Sequence, residues 1–357
     1  MSLSKPRVVS HDRFARIVFD DGRHADFHWI WLRHECALDR HPTTGERTLC
    51  SSRISPDLRA QYAWIDGDAL HVRWTGERAE RAASRYPLGW LREHAYAPDR
   101  DDVEPARTLA ELETTLVGNE ALLPPDWAER LARDGALIAR HPTGITGPEH
   151  TERLVDQIAA EGLTLISTHF GRIEDLRTDN TTNQNTDQLG YTDAPIDLHT
   201  DQPFLDAPPR YQLLHGIQPA DEGGESLVSD ARRAARWLEQ HDVETFRVLT
   251  RTPVRFHRKQ KAFERLFTGP ILDVQDDRFQ VRLSPFTMAP HRLPFAEMEA
   301  WYRAYGRFVR LVEQRAVRTT LRAGDVLLYD NHRMLHARTG FRGARWVRGV
   351  YFDRGAR

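Results

Sequence analysis

The feature that most constrains this chain is a succession of short β runs across its second half. Residues 163–168, 211–217, 226–229, 279–283, 325–329 and 346–352 are rich in Leu, Val, Ile and aromatic side chains and are separated by loops carrying Gly, Pro, Asn and Asp. A single helix, near 294–313, interrupts them, and no fixed-period repeat is present. Amphipathic periodicity predicts three earlier helices, near 108–117, 125–133 and 148–160. The last is opened by Thr146 as N-cap and Pro148 in the first turn. Many short strands with a few helices predict a mixed α+β, mainly β fold. Its core is a double-sheet barrel or jelly roll (a double-stranded β-helix) with helices outside.

The first 98 residues predict a separate small β-rich domain. Asp21-Gly22 sits between two alternating runs, 15–20 and 23–27, as in a two-residue hairpin turn. Residues 69–74 alternate as a further strand, and Trp29, Trp31, Leu32, Trp74, Trp90 and Leu91 supply a small aromatic core. Residues 97–106 are charged and bracketed by prolines, as a linker is. The division is therefore 1–98 and 107–357.

Composition narrows the function. Fifty basic against 52 acidic residues give a net charge of −2, which argues against a nucleic-acid or anionic-membrane binder. Two cysteines, Cys36 and Cys50, make no disulfide framework. No apolar run approaches the ~20 residues of a membrane span, and the first residues carry no apolar signal region. A cytoplasmic home follows as the expectation.

Seventeen histidines direct attention to metal chemistry. A His-x-acid pair occurs at His24, His150 and His199, against roughly 2.5 matches expected by chance, so context must decide. His24 lies on a hairpin strand and His150 in the first turns of a helix, both as surface residues. His199 instead leaves a short strand, and Asp201 follows it into a turn. In a strand, i and i+2 share a face, so one imidazole and one carboxylate can address one ion. A second histidine stands at a strand–loop junction 137 residues on, at His336, with His332 as its rival. Two histidines and one carboxylate on one face leave three positions open, the ligand set of non-haem Fe(II) oxygenases. Arg345, leading the last strand, can clamp a carboxylate bidentately.

With these residues in this order the chain resembles the γ-butyrobetaine and trimethyllysine dioxygenases of the taurine-dioxygenase superfamily. The resemblance covers nearly the whole chain. It rests on Trp31-Leu-Arg, Tyr191 with Leu198-His-Thr-Asp-Gln-Pro203, Tyr211-Gln-Leu-Leu-His215, Glu222-Gly-Gly-Glu-Ser226 with Val228-Ser-Asp230, and Gly324-Asp-Val326. It also rests on Asp330-Asn-His-Arg-Met-Leu-His-Ala-Arg338 and Arg345-Trp-Val-Arg-Gly-Val-Tyr-Phe-Asp353. It implies that His199, Asp201 and His336 hold Fe(II), and that Arg345 binds the distal carboxylate of 2-oxoglutarate beside the Leu214 backbone. Arg348 is the alternative to Arg345. His332 stands where the family usually has Trp. The implied activity is hydroxylation of an unactivated C–H with release of succinate and CO2, by a homodimer. Desaturation or ring formation on a non-betaine amine or amino acid is the alternative outcome, and a non-catalytic binding relative is the alternative class.

Two departures bear on the site. The family's N-terminal zinc pattern, Cys-x-Cys-x-x-Cys with a later His, here reads Cys36-Ala-Leu-Asp-Arg-His41, with Ala82 at the later position. Two ligands do not make a closed site of four, so no structural zinc is expected. The family's trimethylammonium cage is matched by Tyr191, Tyr351 and Phe170, but Glu174 replaces a Trp, within a variable loop running to Gln188. A small cationic substrate follows, not restricted to a quaternary amine.

Overall fold

The computed structural model describes residues 5–76, 83–96, 117–119, 123, 126–140, 147–178, 188–275 and 278–354. The expected linker 97–106, the Thr146 cap and all but Val117 of the helix expected at 108–117 lie outside them. Val117 opens a strand instead, Val117–Asn119.

Two sheets frame the second part. The larger runs in the order Glu174–Arg177, Trp346–Arg354, Tyr211–Gln218, Val326–Asp330, Ala136–Ala139, Val117–Asn119, with Leu163–Ile166 also paired to Trp346–Arg354. The smaller runs Ile196–His199, Met334–Arg338, Ser226–Asp230, Val317–Thr319. Every pairing in both is antiparallel except Val117–Asn119 with Ala136–Ala139.

The central strands Tyr211–Gln218 and Val326–Asp330 are buried almost without a break because both their faces are covered. Successive side chains point to opposite faces. Leu213 and Leu328 therefore join Leu131, Leu154 and Ile158 of the helices Trp127–Asp134 and Glu149–Ala160. Their neighbours Leu214 and Leu327 join Val228 and Met334 of the smaller sheet. The second apolar cluster is the layer between the two sheets, and the cavity described below opens beside it.

Among the described residues three α-helices, not one, follow residue 163: Ala231–His241, Val243–Arg251 and Phe295–Gln314. The first escapes sequence periodicity because arginines and a glutamate crowd a narrow apolar stripe of Ala231, Ala234, Ala235 and Leu238. Its N-terminus is set by Asp230, whose side chain accepts from Arg233 N at 3.0 Å, a cap worth about 1 kcal/mol. The hairpin Val254–Gln260 with Phe263–Gly269 was likewise not evident from the sequence.

The N-terminal part holds two three-stranded antiparallel sheets, Arg7–Ser10, Phe14–Val18, His24–His28 and Ala60–Asp66, Ala69–Trp74, Ser84–Pro87. The expected two-residue turn is a three-residue loop, Asp20 to Gly22. Phe19 N donates to Arg23 O at 2.8 Å and closes it, and Gly22 supplies the left-handed residue at φ 79°. Trp29, Trp31 and Leu32 lie on a short helix, Trp29–His34, and Trp90 is only half-buried. One continuous apolar cluster joins Trp31 and Trp74 to Trp301, Tyr305 and Phe308 of the helix Phe295–Gln314. Polar contacts cross the same boundary. Trp31 Nε1 donates to His291 O at 3.1 Å, and Arg13 pairs with Glu299 at 2.7 Å. No described helix is long and apolar enough to cross a membrane.

Candidate metal centre and active site

His199 closes the strand Ile196–His199, and His336 is its register partner on Met334–Arg338. Register partners put their side chains on one face of a sheet, and here the two ring centroids are 4.0 Å apart. Asp201 follows in the turn. Its amide donates to Asn331 Oδ1 at 2.8 Å, and Asn331 Nδ2 donates back to Asp201 O at 3.1 Å and to Pro209 O at 3.0 Å. The next residue, Gln202, holds φ at 55°, a left-handed conformation that costs a non-glycine residue energy and marks the turn as over-determined by its surroundings.

Three donor atoms converge. His199 Nε2 is 3.3 Å and His336 Nε2 3.8 Å from Asp201 Oδ1. They form the one group of three or more His, Cys, Asp or Glu ligand atoms found together among the described residues. His199 Nδ1–H donates to Asp197 O at 2.9 Å, which fixes the tautomer and leaves the Nε2 lone pair facing Asp201. Burial, then the neighbouring His199, pushes His336 down to about 3, so it is neutral at pH 7, as a ligand imidazole must be. Asp201 ionises well below the usual carboxylate range. Burial opposes its charge, but the adjoining imidazoles of His336 and His199 and the hydrogen bond from Tyr351 outweigh that. This donor set fits a divalent iron with one face left free. His332 stands apart, its Nε2–H donating to Pro208 O at 2.9 Å. His24 is exposed and His150 half-buried, and neither joins a cluster.

The face of the cluster opens into a cavity whose lining includes Leu214, Ser226, Val347 and Arg345. Arg345 is 9% exposed. Burial pushes its guanidinium down to about 10, so it stays charged at neutral pH. Among the described residues no carboxylate pairs with it, and its neighbour is the Phe341 ring at 5.6 Å. Gly224 packs against it with φ at 69°, a left-handed conformation that favours glycine. A buried guanidinium without a local counter-charge is a ready site for an anion's carboxylate. Arg348, three residues on, faces away from the cavity. It pairs with Asp175 at 3.2 Å and donates to Pro148 O at 2.5 Å.

Glu174, 4% exposed, lines the same cavity. Gln188 Nε2 donates to its Oε1 at 2.6 Å and Tyr191 OH at 3.1 Å. Tyr351 OH is 3.5 Å from Oε2 and also donates to Asp201 Oδ2 at 2.7 Å. Burial, with the charge of Asp201, pushes the Glu174 carboxyl up to about 8. Phe170, Glu174, Gln188 and Tyr351 line the cavity, whereas Tyr191 stands behind Glu174 and holds it.

Several lining residues were not singled out from the sequence. Glu46, from the N-terminal part, pairs with Arg258 of the hairpin strand Val254–Gln260, and its other oxygen accepts from Leu189 N. No local pattern marks this pair, since its members lie 212 residues apart. Arg338 donates to Thr192 O at 2.7 Å, Ala194 O at 2.6 Å and Gly190 O at 3.3 Å. Its i+2 spacing from His336 was the available signal. Gln202, Ser284 and Thr287 are buried on the cavity wall with side-chain polar atoms that have no partner among the described residues.

The cysteines take apolar or hydroxyl surroundings. Cys36 Sγ is 3.1 Å from Ser84 Oγ, which also accepts from Trp74 Nε1 at 2.8 Å, and Cys50 Sγ is 3.5 Å from Tyr305 OH. His41 Nδ1 accepts from Thr44 N at 3.2 Å.

Residues 109–351 match the family model of the taurine catabolism dioxygenase TauD, TfdA family. A γ-butyrobetaine dioxygenase of Pseudomonas sp. (strain AK-1) is 29% identical over 360 residues, covering 95% of this chain and 90% of that protein. A trimethyllysine dioxygenase of Meyerozyma guilliermondii is 27% identical over 374 residues, covering 95% and 90%. Among solved structures, an asparagine oxygenase complex with Fe(II), 2S,3S-3-hydroxyasparagine and succinate aligns at TM-score 0.48 and 16% identity, over 61% of this chain and 74% of that one. The family match spans most of the chain and takes in His199, Asp201 and His336 together with Arg345, and the chain belongs to the taurine catabolism dioxygenase TauD, TfdA family.

Proposed function

We propose that this protein is an Fe(II)- and 2-oxoglutarate-dependent dioxygenase that hydroxylates an unactivated C–H of a small cationic, γ-butyrobetaine-like substrate and releases succinate and CO2. The observation that carries the reading is the convergence of His199, Asp201 and His336 on a cavity whose wall also holds the uncompensated guanidinium of Arg345. In this reading the three ligands hold Fe(II), and Arg345 beside Leu214 holds the distal carboxylate of 2-oxoglutarate. Bound iron and 2-oxoglutarate supply the O2 activation. The protein's own part is to hold ligand tautomers, exclude water and position one carbon. Phe170, Glu174, Gln188 and Tyr351 contact the substrate, with Tyr191 in support.

The same reading makes the two facing sheets a jelly roll and divides the chain at 1–98 and 107–357. It places a homodimer in the cytoplasm. It assigns no zinc to Cys36 and His41. The relatives named as γ-butyrobetaine and trimethyllysine dioxygenases support a cationic substrate. The test is succinate formation by purified protein. It should require Fe(II), 2-oxoglutarate and O2 together and rise on adding a cationic substrate. Succinate release without iron would remove the reading.

A further inference from the structure

The cavity wall carries three acidic groups besides backbone carbonyls, and each meets a different partner. Asp201 faces the two histidines, and Glu46 is neutralised by Arg258. Glu174 alone has only neutral donors: an amide and two phenolic hydroxyls. The cations on the same wall are committed elsewhere, Arg258 to Glu46 and Arg338 to three backbone carbonyls, while Arg345 forms no ion pair with Glu174.

A carboxylate offers about four lone-pair positions. Gln188 and Tyr191 both address Oε1. Oε2 receives only the Tyr351 hydroxyl, at 3.5 Å, and that hydroxyl makes its shorter bond, 2.7 Å, to Asp201. Oε2 is therefore under-bonded, buried and on the cavity wall. A buried carboxyl without a counter-charge rests protonated, and it ionises favourably only where a cation arrives with donors of its own. A quaternary ammonium cannot supply those donors, because its methyl groups hold the positive nitrogen beyond hydrogen-bond distance.

Building on the proposed function, we propose that the substrate's cation is a primary or secondary ammonium, or a guanidinium, whose N–H donates to Oε2 of Glu174. Glu174 then selects against the quaternary head group rather than completing an aromatic cage for it. Tyr191 and Gln188 are positioning residues that fix the carboxylate, and Tyr351 links it to Asp201. That one hydroxyl spans both carboxylates, so the cation sits close to the metal ligands. The oxidised carbon then lies within a few bonds of the nitrogen.

The test compares matched pairs: 4-aminobutyrate with γ-butyrobetaine, and lysine with trimethyllysine. Binding to the Mn(II)- and 2-oxoglutarate-loaded protein is measured by calorimetry without O2, and succinate formation with Fe(II) in air. In at least one pair the N–H-bearing member binds about tenfold tighter or more, the worth of one hydrogen bond to a charged group. Glu174→Gln keeps the shape and lowers that preference to about threefold or less. Tighter binding of the quaternary member overturns the inference but leaves the dioxygenase reading standing. Failure of every cation to bind or to raise succinate formation overturns both the inference and the cationic substrate. The wild-type comparison needs no variant, so a misfolded Glu174→Gln protein does not remove the test.

Discussion

His199 and His336 are register partners across one antiparallel strand pair, and their rings stand 4.0 Å apart on the same face. The two sheet positions thus set the spacing of two ligands before Asp201 is added from the turn. Replacing either histidine by Ala, or Asp201 by Asn, should abolish metal binding and substrate-dependent succinate formation together. Metal content after gel filtration, measured beside activity, checks this. Full iron occupancy in His336→Ala would remove that residue from the ligand set.

Arg345→Ala should chiefly raise the 2-oxoglutarate requirement. Losing one partner of a buried charged pair costs about 2–5 kcal/mol, or roughly 30-fold and upward in KM. Arg348→Ala should leave the KM for 2-oxoglutarate within about threefold, because its guanidinium is engaged by Asp175 and Pro148 outside the cavity. Steady-state kinetics against 2-oxoglutarate separates the two. An unchanged KM in Arg345→Ala would show that another cation holds the cosubstrate.

One divalent metal per chain is expected, removable by chelation. Cys36 shares a hydrogen bond with the Ser84 hydroxyl, and that hydroxyl is in turn held by Trp74. The local framework is built from side-chain hydrogen bonds and apolar packing around Trp31 and Trp74. Elemental analysis should therefore find no stoichiometric zinc, and EDTA should leave the far-ultraviolet circular dichroism unchanged. A retained equivalent of zinc would contradict this.

Acid should destabilise the fold earlier than carboxylate protonation alone. Burial pushes His28 down to about 4 and His291 to about 3, from ~6.5 in the unfolded chain. A depressed folded value favours the neutral form. The stability these residues contribute is thus complete above pH 6.5 and is lost as pH falls toward 4. The unfolding free energy should drop by roughly 5 kcal/mol over that window, about 2.5–3 kcal/mol from each histidine. His28→Phe, which keeps a ring against Phe295, should flatten part of the slope in urea melts at stepped pH. A curve of wild-type steepness in the variant would assign the slope elsewhere.

Glu46→Gln should destabilise the protein by about 3 kcal/mol, because it leaves Arg258 charged and buried without its partner. Its effect on substrate KM should exceed that of Arg53→Gln, a surface residue of the same part paired with Asp197. Denaturant midpoints and kinetics measured on both variants check this. Equal kinetics would confine Glu46 to stability.

That His199 and Asp201 share a face was legible from strand periodicity, whereas the choice of His336 over His332 came from the family resemblance, whose quoted stretch also contains Asn331. The frame was legible where strands are buried on both faces, as at Tyr211–Gln218. The helix Ala231–His241 was not, because its polar face outweighs a stripe of alanines. Glu46 was not, because nothing near it in sequence differs from an ordinary polar loop. Its meaning depends on Arg258, which only the folded chain brings alongside. Glu174 was legible as a departure from the family pattern, but its hydrogen bonds to Gln188 and Tyr191 were not.

The presence of Glu46 on the cavity wall has a consequence for modularity. A carboxylate from the first fifty residues braces both the hairpin strand and the backbone at Leu189, on the same wall. Excising or exchanging the N-terminal part would therefore retune the pocket, even with every metal ligand intact. Selectivity in such a chain can drift through changes far outside the iron-binding motif, and recombination at the apparent domain boundary would separate halves of one wall.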